Sequence, residues 1–359
     1  MQSGSRVRLL ERSPAHVSHA VGRGPPGCQG MPYGLATDAR LTQGPSVLKL
    51  PVDASDSADA HTEVQMTGII LVPIDTSTLA QRALGTACAI AKAQRGNLRL
   101  ILVHETEEFE GLPDSPWNGA REAMECAYLD DKARQIEGET GLHVIVDHPK
   151  GPPAQTIVRH ATAYRADLVV MSTHCRTGIH RAWIRSVADY VMRHVDIPVL
   201  MLREGDAGAP TEFHRVLIPL DGTERAESII DDAISVCGPD ATYVLTRIVA
   251  PLPLSNTGFI APFPMSAMPT DVRATEAARE AARDYLREAA ARARAKGAVH
   301  IQEVPAVSED TPGAILAQKA DLIAIASHGR GASRFVLGSV TDQLLKKGTT
   351  PLLVKRVQA

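Results

Sequence analysis

Cysteine is scarce in this chain: five residues in 359, at positions 28, 88, 126, 175 and 237, with no CxxC pair and no His/Cys group at metal-ligand spacing. Neither a disulfide framework nor zinc is expected, and free thiols fit a reducing, cytoplasmic setting. An excess of either charge is also missing. Net charge is −3 and charged residues make up 22 %, so nothing marks a nucleic-acid binder or an acidic solvating tail. No apolar run approaches the roughly 20 residues needed to span a bilayer, which argues against a membrane-embedded protein. The sequence has no G-x-x-x-x-G-K-[ST] loop, no G-x-S-x-G elbow and no HExxH. P-loop kinase or ATPase chemistry, nucleophile-elbow hydrolysis and zincin proteolysis therefore lack their residues, and a non-enzyme is expected.

What is present has room for two domains and a tail. Residues 1–65 are dominated by Ser, Gly, Pro, Asp and Ala without sustained apolar period, and read as a disordered N-terminal extension. The first 30 are rich in Arg and Ser but lack an apolar h-region, so they are not read as a targeting signal. Met66 stands just before the first strand, so the 65 residues ahead of it read as an upstream extension of the frame.

From Met66 onward strands and helices alternate. Apolar runs at 69–72, 98–103, 142–146, 168–171 and 198–202 read as strands, with helices over about 78–95, 119–139, 154–165 and 186–194. Asp75, Thr76 and Ser77 supply capping side chains for the first helix. This order implies a parallel sheet with helices on both faces. A linker over 204–212 follows, and then the pattern begins again. Leu217-Ile218-Pro219-Leu220-Asp221 restates Leu71-Val72-Pro73-Ile74-Asp75, and Asp321-Leu322-Ile323 restates Asp167-Leu168-Val169. Ser339-Val340-Thr341-Asp342 restates Ser186-Val187-Ala188-Asp189, and Pro351-Leu352-Leu353 restates Pro198-Val199-Leu200. Offsets of 146 to 154 residues mean a duplicated domain, 66–203 and 213–359, well above the period of a solenoid repeat. The second copy adds a Pro-rich insertion, Pro251 to Pro269, read as unstructured linkage with a lid or a partner surface as the alternatives, and a charged helix over 274–296. The helix ahead of its fourth strand is cut short.

The segment after Leu322-Ile323-Ala324-Ile325 is the richest in chemistry. Ala326-Ser327-His328-Gly329-Arg330-Gly331 and then Leu337-Gly338-Ser339-Val340-Thr341 take a buried strand through a glycine-bearing loop into a helix. Unpaired amides and the dipole at a helix start suit an anion, and small residues let a phosphate come near the main chain.

The ordered set V/I-P-x-D, A-D-L-I/V, S/T-H-G-R-x-G with G-S-V-x-D, and P-V/L-L, present twice, resembles the universal stress protein family in its tandem form. The resemblance implies two open five-stranded parallel-sheet, Rossmann-like α/β domains of the adenine nucleotide alpha hydrolase-like type, paired through their last strands. It also implies a division between members that bind ATP and members that do not. ATP-binding members carry G-x-x-G-x9-G-(S/T). Here the second domain places Ala326, Gly329 and Gly338 at the glycines and Ser339 after them, with the last interval one residue short. The first domain has Ser172, Cys175 and Arg185, then Ser186, at the kept spacing. An arginine where a phosphate must approach backbone fills that space, so only the second domain is a candidate.

By the same resemblance Asp221 would meet the ribose or adenine side, and the backbone near Ile248 would read the adenine edge. Gly329, Gly338, Ser339, Val340 and Thr341 would hold phosphates, with Ala326 and His328 in the same loop. Asp221 has the alternative role of capping the next helix, Ser339-x-x-Asp342 that of a capping box, and His328 that of a loop hydrogen-bonder. Expected partners are an adenine nucleotide, the sister domain and a second copy of the chain. Two other readings stay open: an interaction protein with both sites degenerate, and a slow ATP hydrolase.

Overall fold

The computed structural model describes residues 68–105, 116–173, 187–203, 210–253, 271–327 and 337–357. The expectations for residues 1–65 and for the segment 254–269 lie outside these.

The first domain runs β1 (Ile69–Pro73), α1 (Thr78–Gln94), β2 (Asn97–Ile101), α2 (Pro116–Thr140), β3 (Val144–Asp147), α3 (Pro153–Ala163), β4 (Leu168–Thr173), α4 (Val187–His194) and β5 (Val199–Arg203). The second runs β6 (Arg215–Pro219), α5 (Glu224–Glu227), α6 (Ile229–Cys237), β7 (Thr242–Val249), α7 (Val272–Ala295), β8 (His300–Val307), α8 (Thr311–Leu316), β9 (Leu322–Ser327), α9 (Ser339–Lys347) and β10 (Leu352–Arg356). Where the first domain has the single helix α1, the second has two short ones, α5 and α6, meeting at Ser228. The shortened helix α8 has six residues against eleven in α3.

All ten strands form one sheet in the order β3-β2-β1-β4-β5-β10-β9-β6-β7-β8. Within each domain the pairings are parallel, and the antiparallel one joins β5 to β10 through Leu352 with Met201, Leu353 with Leu200 and Val354 with Val199. Two open sheets thus close each other's inner edge. Both faces are covered. Ile70, Val72, Leu98 and Leu100 point into a core with α1 and α2, and Ile218, Tyr243 and Leu245 into its continuation with α6 and α7. Leu71, Val169, Met201, Ile323 and Val354 point the other way, onto α3, α4, α8 and α9. Strands buried on both faces read as continuous apolar runs, which is why the sequence signals them so clearly.

The repeated A-D-L motif has a structural cause. Asp167 Oδ2 accepts from the Ile69 amide at 2.7 Å, and Asp321 accepts from the amides of His214 (2.8 Å) and Arg215 (2.9 Å). Each aspartate ties the start of the fourth strand to the start of the first. The domain junction is held by a reciprocal arrangement of arginines. Arg203, at the end of β5 and buried, donates to the carbonyls of Leu345 (2.6 Å) and Leu344 (3.3 Å) in the last turn of α9. Arg356, at the end of β10, donates to the Val195 carbonyl just past α4 at 3.3 Å and pairs with Asp196. A cation at a helix C-terminus satisfies orphan carbonyls and opposes the dipole.

Candidate functional site: a cavity at the switch point of the second domain

Strand order reverses between β6 and β9, whose register pairs Val216 with Leu322 and Leu217 with Ile323. Ligands of open α/β sheets bind in the crevice beyond the carboxyl ends of the strands at such a point. A cavity of about 620 Å³ lies there. Its walls include Leu220 and Asp221 after β6, Ile248 on β7, Ala326 and Ser327 on β9, and Gly338 to Thr341 at the start of α9. The structure therefore brings together seven of the nine residues singled out from sequence: Asp221, Ile248, Ala326, Gly338, Ser339, Val340 and Thr341. His328 and Gly329 lie outside the described residues.

The floor is fixed by the two ends of the loop. Ser327 is buried and its Oγ accepts from the Gly338 amide at 2.9 Å, so the last residue of β9 holds the N-cap of α9. Gly338 has φ −60° and ψ 149°, a conformation open to any residue, and no side chain caps the helix. Ser339 is the first helical residue, which corrects its reading as the cap of a capping box. The amides of residues 339–341 have no acceptor within the helix. Asp342 is engaged instead by Lys346 at 2.6 Å, with Arg193 of α4 3.8 Å away.

Asp221 is held in a tight turn. Its Oδ1 accepts from the Thr223 amide (3.0 Å) and hydroxyl (2.7 Å), while Thr223 caps α5 by accepting from Ala226. The helix-cap alternative for Asp221 is thus met by Thr223; Asp221 orients the cap. Asp75 does the same for Ser77 in the first domain. Next to Asp221, Gly222 has φ 94°, and a Cβ there would meet the Arg247 guanidinium at 2.8 Å. The turn needs glycine and packs closely on β7.

Arg193 was not legible as a site residue. It belongs to the first domain and reaches the second domain's cavity because β5 and β10 pair, with Asp189 binding its guanidinium at 2.9 Å. Thr311 and Ile315 from α8 also line the cavity. In the first domain, Ser172 sits on β4 and its Oγ is buried, whereas Cys175, Arg185 and Ser186 lie outside the described residues.

Fold and crevice together define a duplicated, doubly wound α/β protein with a cavity at a helix start. A family model described as the universal stress protein family matches residues 66–203 and again 212–356. The chain belongs to that family and carries its domain twice. A universal stress protein of Methanocaldococcus jannaschii is 31 % identical over 138 residues, 38 % of this chain and 81 % of that protein. One from Mycobacterium tuberculosis is 28 % identical over 160 residues, covering 43 % of this chain and 52 % of the relative. The crystal structure of a universal stress protein from Archaeoglobus fulgidus superposes with TM-score 0.57 at 17 % identity, over 80 % of this chain and 96 % of that one. That likeness concerns the fold. Among the described residues no helix is long and apolar enough to cross a membrane.

Proposed function

We propose that the protein is a non-catalytic, cytoplasmic stress-response module that binds ATP or AMP through its second domain alone. The observation that carries this reading is the uncapped start of α9 opening onto the switch-point cavity. Amides at residues 339–341 supply donors for phosphate oxygens and the helix dipole adds favourable potential. Asp221, already turned by Thr223, supplies a carboxylate acceptor for ribose hydroxyls, and Ile248 an apolar wall for the base. Arg193 adds a cation at the phosphate end, lent by the sister domain.

The missing residue between Gly329 and Gly338 is compatible with this reading because the bond from Gly338 to Ser327 sets where α9 begins. Ala326 adds one methyl to the cavity wall. That methyl favours the second reading, an interaction protein independent of nucleotide, to the extent that it narrows the phosphate end. Denaturing the purified full chain and analysing the supernatant for AMP and ATP separates the two. Released nucleotide, or a calorimetric ATP signal from stripped protein, supports the proposal. Absence of both overturns it.

A further inference from the structure

A second constellation lies in the first domain, away from the cavity. His104 follows β2, Glu125 is on α2, and His148 follows β3. Glu125 Oε2 lies 2.6 Å from His104 Nδ1 and 3.0 Å from His148 Nε2, and one ligand atom from each of the three falls within 4.8 Å of the others. His104 is 1 % exposed and Glu125 8 %. The main chain fixes the two imidazoles relative to each other: the His104 amide donates to the Pro149 carbonyl at 2.9 Å, and the His104 carbonyl accepts from the Gly151 amide at 3.1 Å. Arg121 Nε donates to Glu125 Oε1 at 2.8 Å, which turns the other oxygen toward the histidines. Cys126 Sγ lies 3.2 Å from Nδ1 of His148, on the far side of that ring from the carboxylate.

The duplication supplies an internal comparison. Val72 pairs with Leu100 and Leu100 with Val146, as Ile218 pairs with Leu245 and Leu245 with Glu303. That register sets His104 level with Val249 and His148 level with Pro305. Matching buried Leu129, Ala133 and Ile136 to Leu286, Ala290 and Ala293 sets Glu125 level with Ala282, itself buried. The fold accordingly stands without these three polar groups, since the sister domain builds the same corner from Val, Ala and Pro. Burying a carboxylate and two imidazoles is costly unless they are well paired, and the paired set matches the donors of a transition-metal site.

We propose that His104 Nδ1, Glu125 Oε2 and His148 Nε2 bind a divalent ion of the zinc class. Bonds of about 2.0–2.2 Å in tetrahedral geometry place ligand atoms roughly 3.3 Å apart, so each imidazole must move out from the carboxylate oxygen by less than about 1 Å while the two nitrogens, within 4.8 Å of each other, close toward that spacing. The ion replaces protons that the histidines now direct at one oxygen. Two nitrogens and one oxygen leave a fourth position for water. Cys126 acts behind His148 as an orienting partner, which fixes the ring without supplying a bond to the ion.

The test uses the full chain without a histidine tag, dialysed against chelator and titrated with Zn²⁺ alone against a chromophoric competitor. One equivalent is expected to bind, with at least about 100-fold weaker binding in Glu125→Gln and in His148→Gln. In parallel, ¹⁵N spectra of the unaltered chain should show two imidazoles shifting together and reaching a plateau at one equivalent. Failure to retain zinc, full-strength binding in either folded variant, or imidazole resonances that stay in place would each overturn the assignment. Misfolding of a variant does not shield the proposal, because the imidazole titration needs no substitution. Nucleotide binding in the second domain is not involved in either readout.

Discussion

Ser327 Oγ and the Gly338 amide meet at 2.9 Å across the ends of the loop that joins β9 to α9. The bond carries much of the site's geometry, because it sets the origin of the helix whatever the number of residues between. Ser327→Ala leaves a half-buried amide without its acceptor. Urea unfolding should report a loss of about 1–2 kcal/mol, and calorimetry should report weaker ATP binding than any stability loss alone produces. Unchanged ATP affinity in the folded variant would mean that the loop ends do not position the phosphates.

Arg193 gives a second expectation. Arg193→Gln removes the cation that the first domain extends to the cavity while keeping a hydrogen-bonding side chain. Asp189 is buried and both its carboxylate oxygens accept from Arg193, so losing the guanidinium should also cost about 1–3 kcal/mol of stability, and affinities are compared on the folded variant. ATP affinity should fall roughly tenfold, the worth of a charge-assisted contact, and adenosine affinity should hold. Equal losses for ATP and adenosine would place Arg193 away from the phosphates.

At the domain junction, Arg203→Met should cost roughly 2–3 kcal/mol, because two carbonyls of α9 lose their donor in a buried setting. Arg356→Met should cost less, because its ion pair is with Asp196, whose side chain is 63 % exposed and solvated. Denaturant midpoints of the two variants decide the order. A larger loss for Arg356 would contradict the description of the junction.

Thiol reactivity follows from burial. The Cys88 thiol is pushed up to about 11 by burial and by the nearby Glu139 carboxylate, and burial and Asp321 push Cys237 up as well. A raised thiol pKa keeps the neutral, unreactive form at pH 8. Alkylation at that pH, followed by peptide mass mapping, should find Cys88 modified roughly 100-fold more slowly than an ordinary cysteine of pKa about 8.5. The rate should rise about tenfold per pH unit up to its pKa.

Much of the fold could be read from the sequence because buried parallel strands are apolar throughout and recur in the second copy with the same punctuation. The A-D-L aspartates, for example, are repeated because each bonds the opening amides of the neighbouring strand. Part of the cavity wall was legible for the same reason, since strand ends and helix starts are local features. Arg193 was not, because it reaches the cavity only through the antiparallel β5 and β10 pairing, which no local pattern encodes. The group of His104, Glu125 and His148 was missed on similar grounds: the expectation of no zinc rested on short-range spacing, and these residues come from three separate elements. The capping reading of Ser339 was wrong by one residue, since glycine at 338 takes the cap position.

The most direct measurement is calorimetric titration of ATP into the nucleotide-stripped full chain, alongside the Gly338→Arg variant. Gly338 has a φ and ψ that any residue can adopt, so the variant should fold and the arginine should fill the cavity without straining the backbone. One site per chain in the unaltered protein, lost in Gly338→Arg, is the predicted result. Two sites, no site, or binding that survives the substitution would contradict the claim that the second domain alone holds the nucleotide.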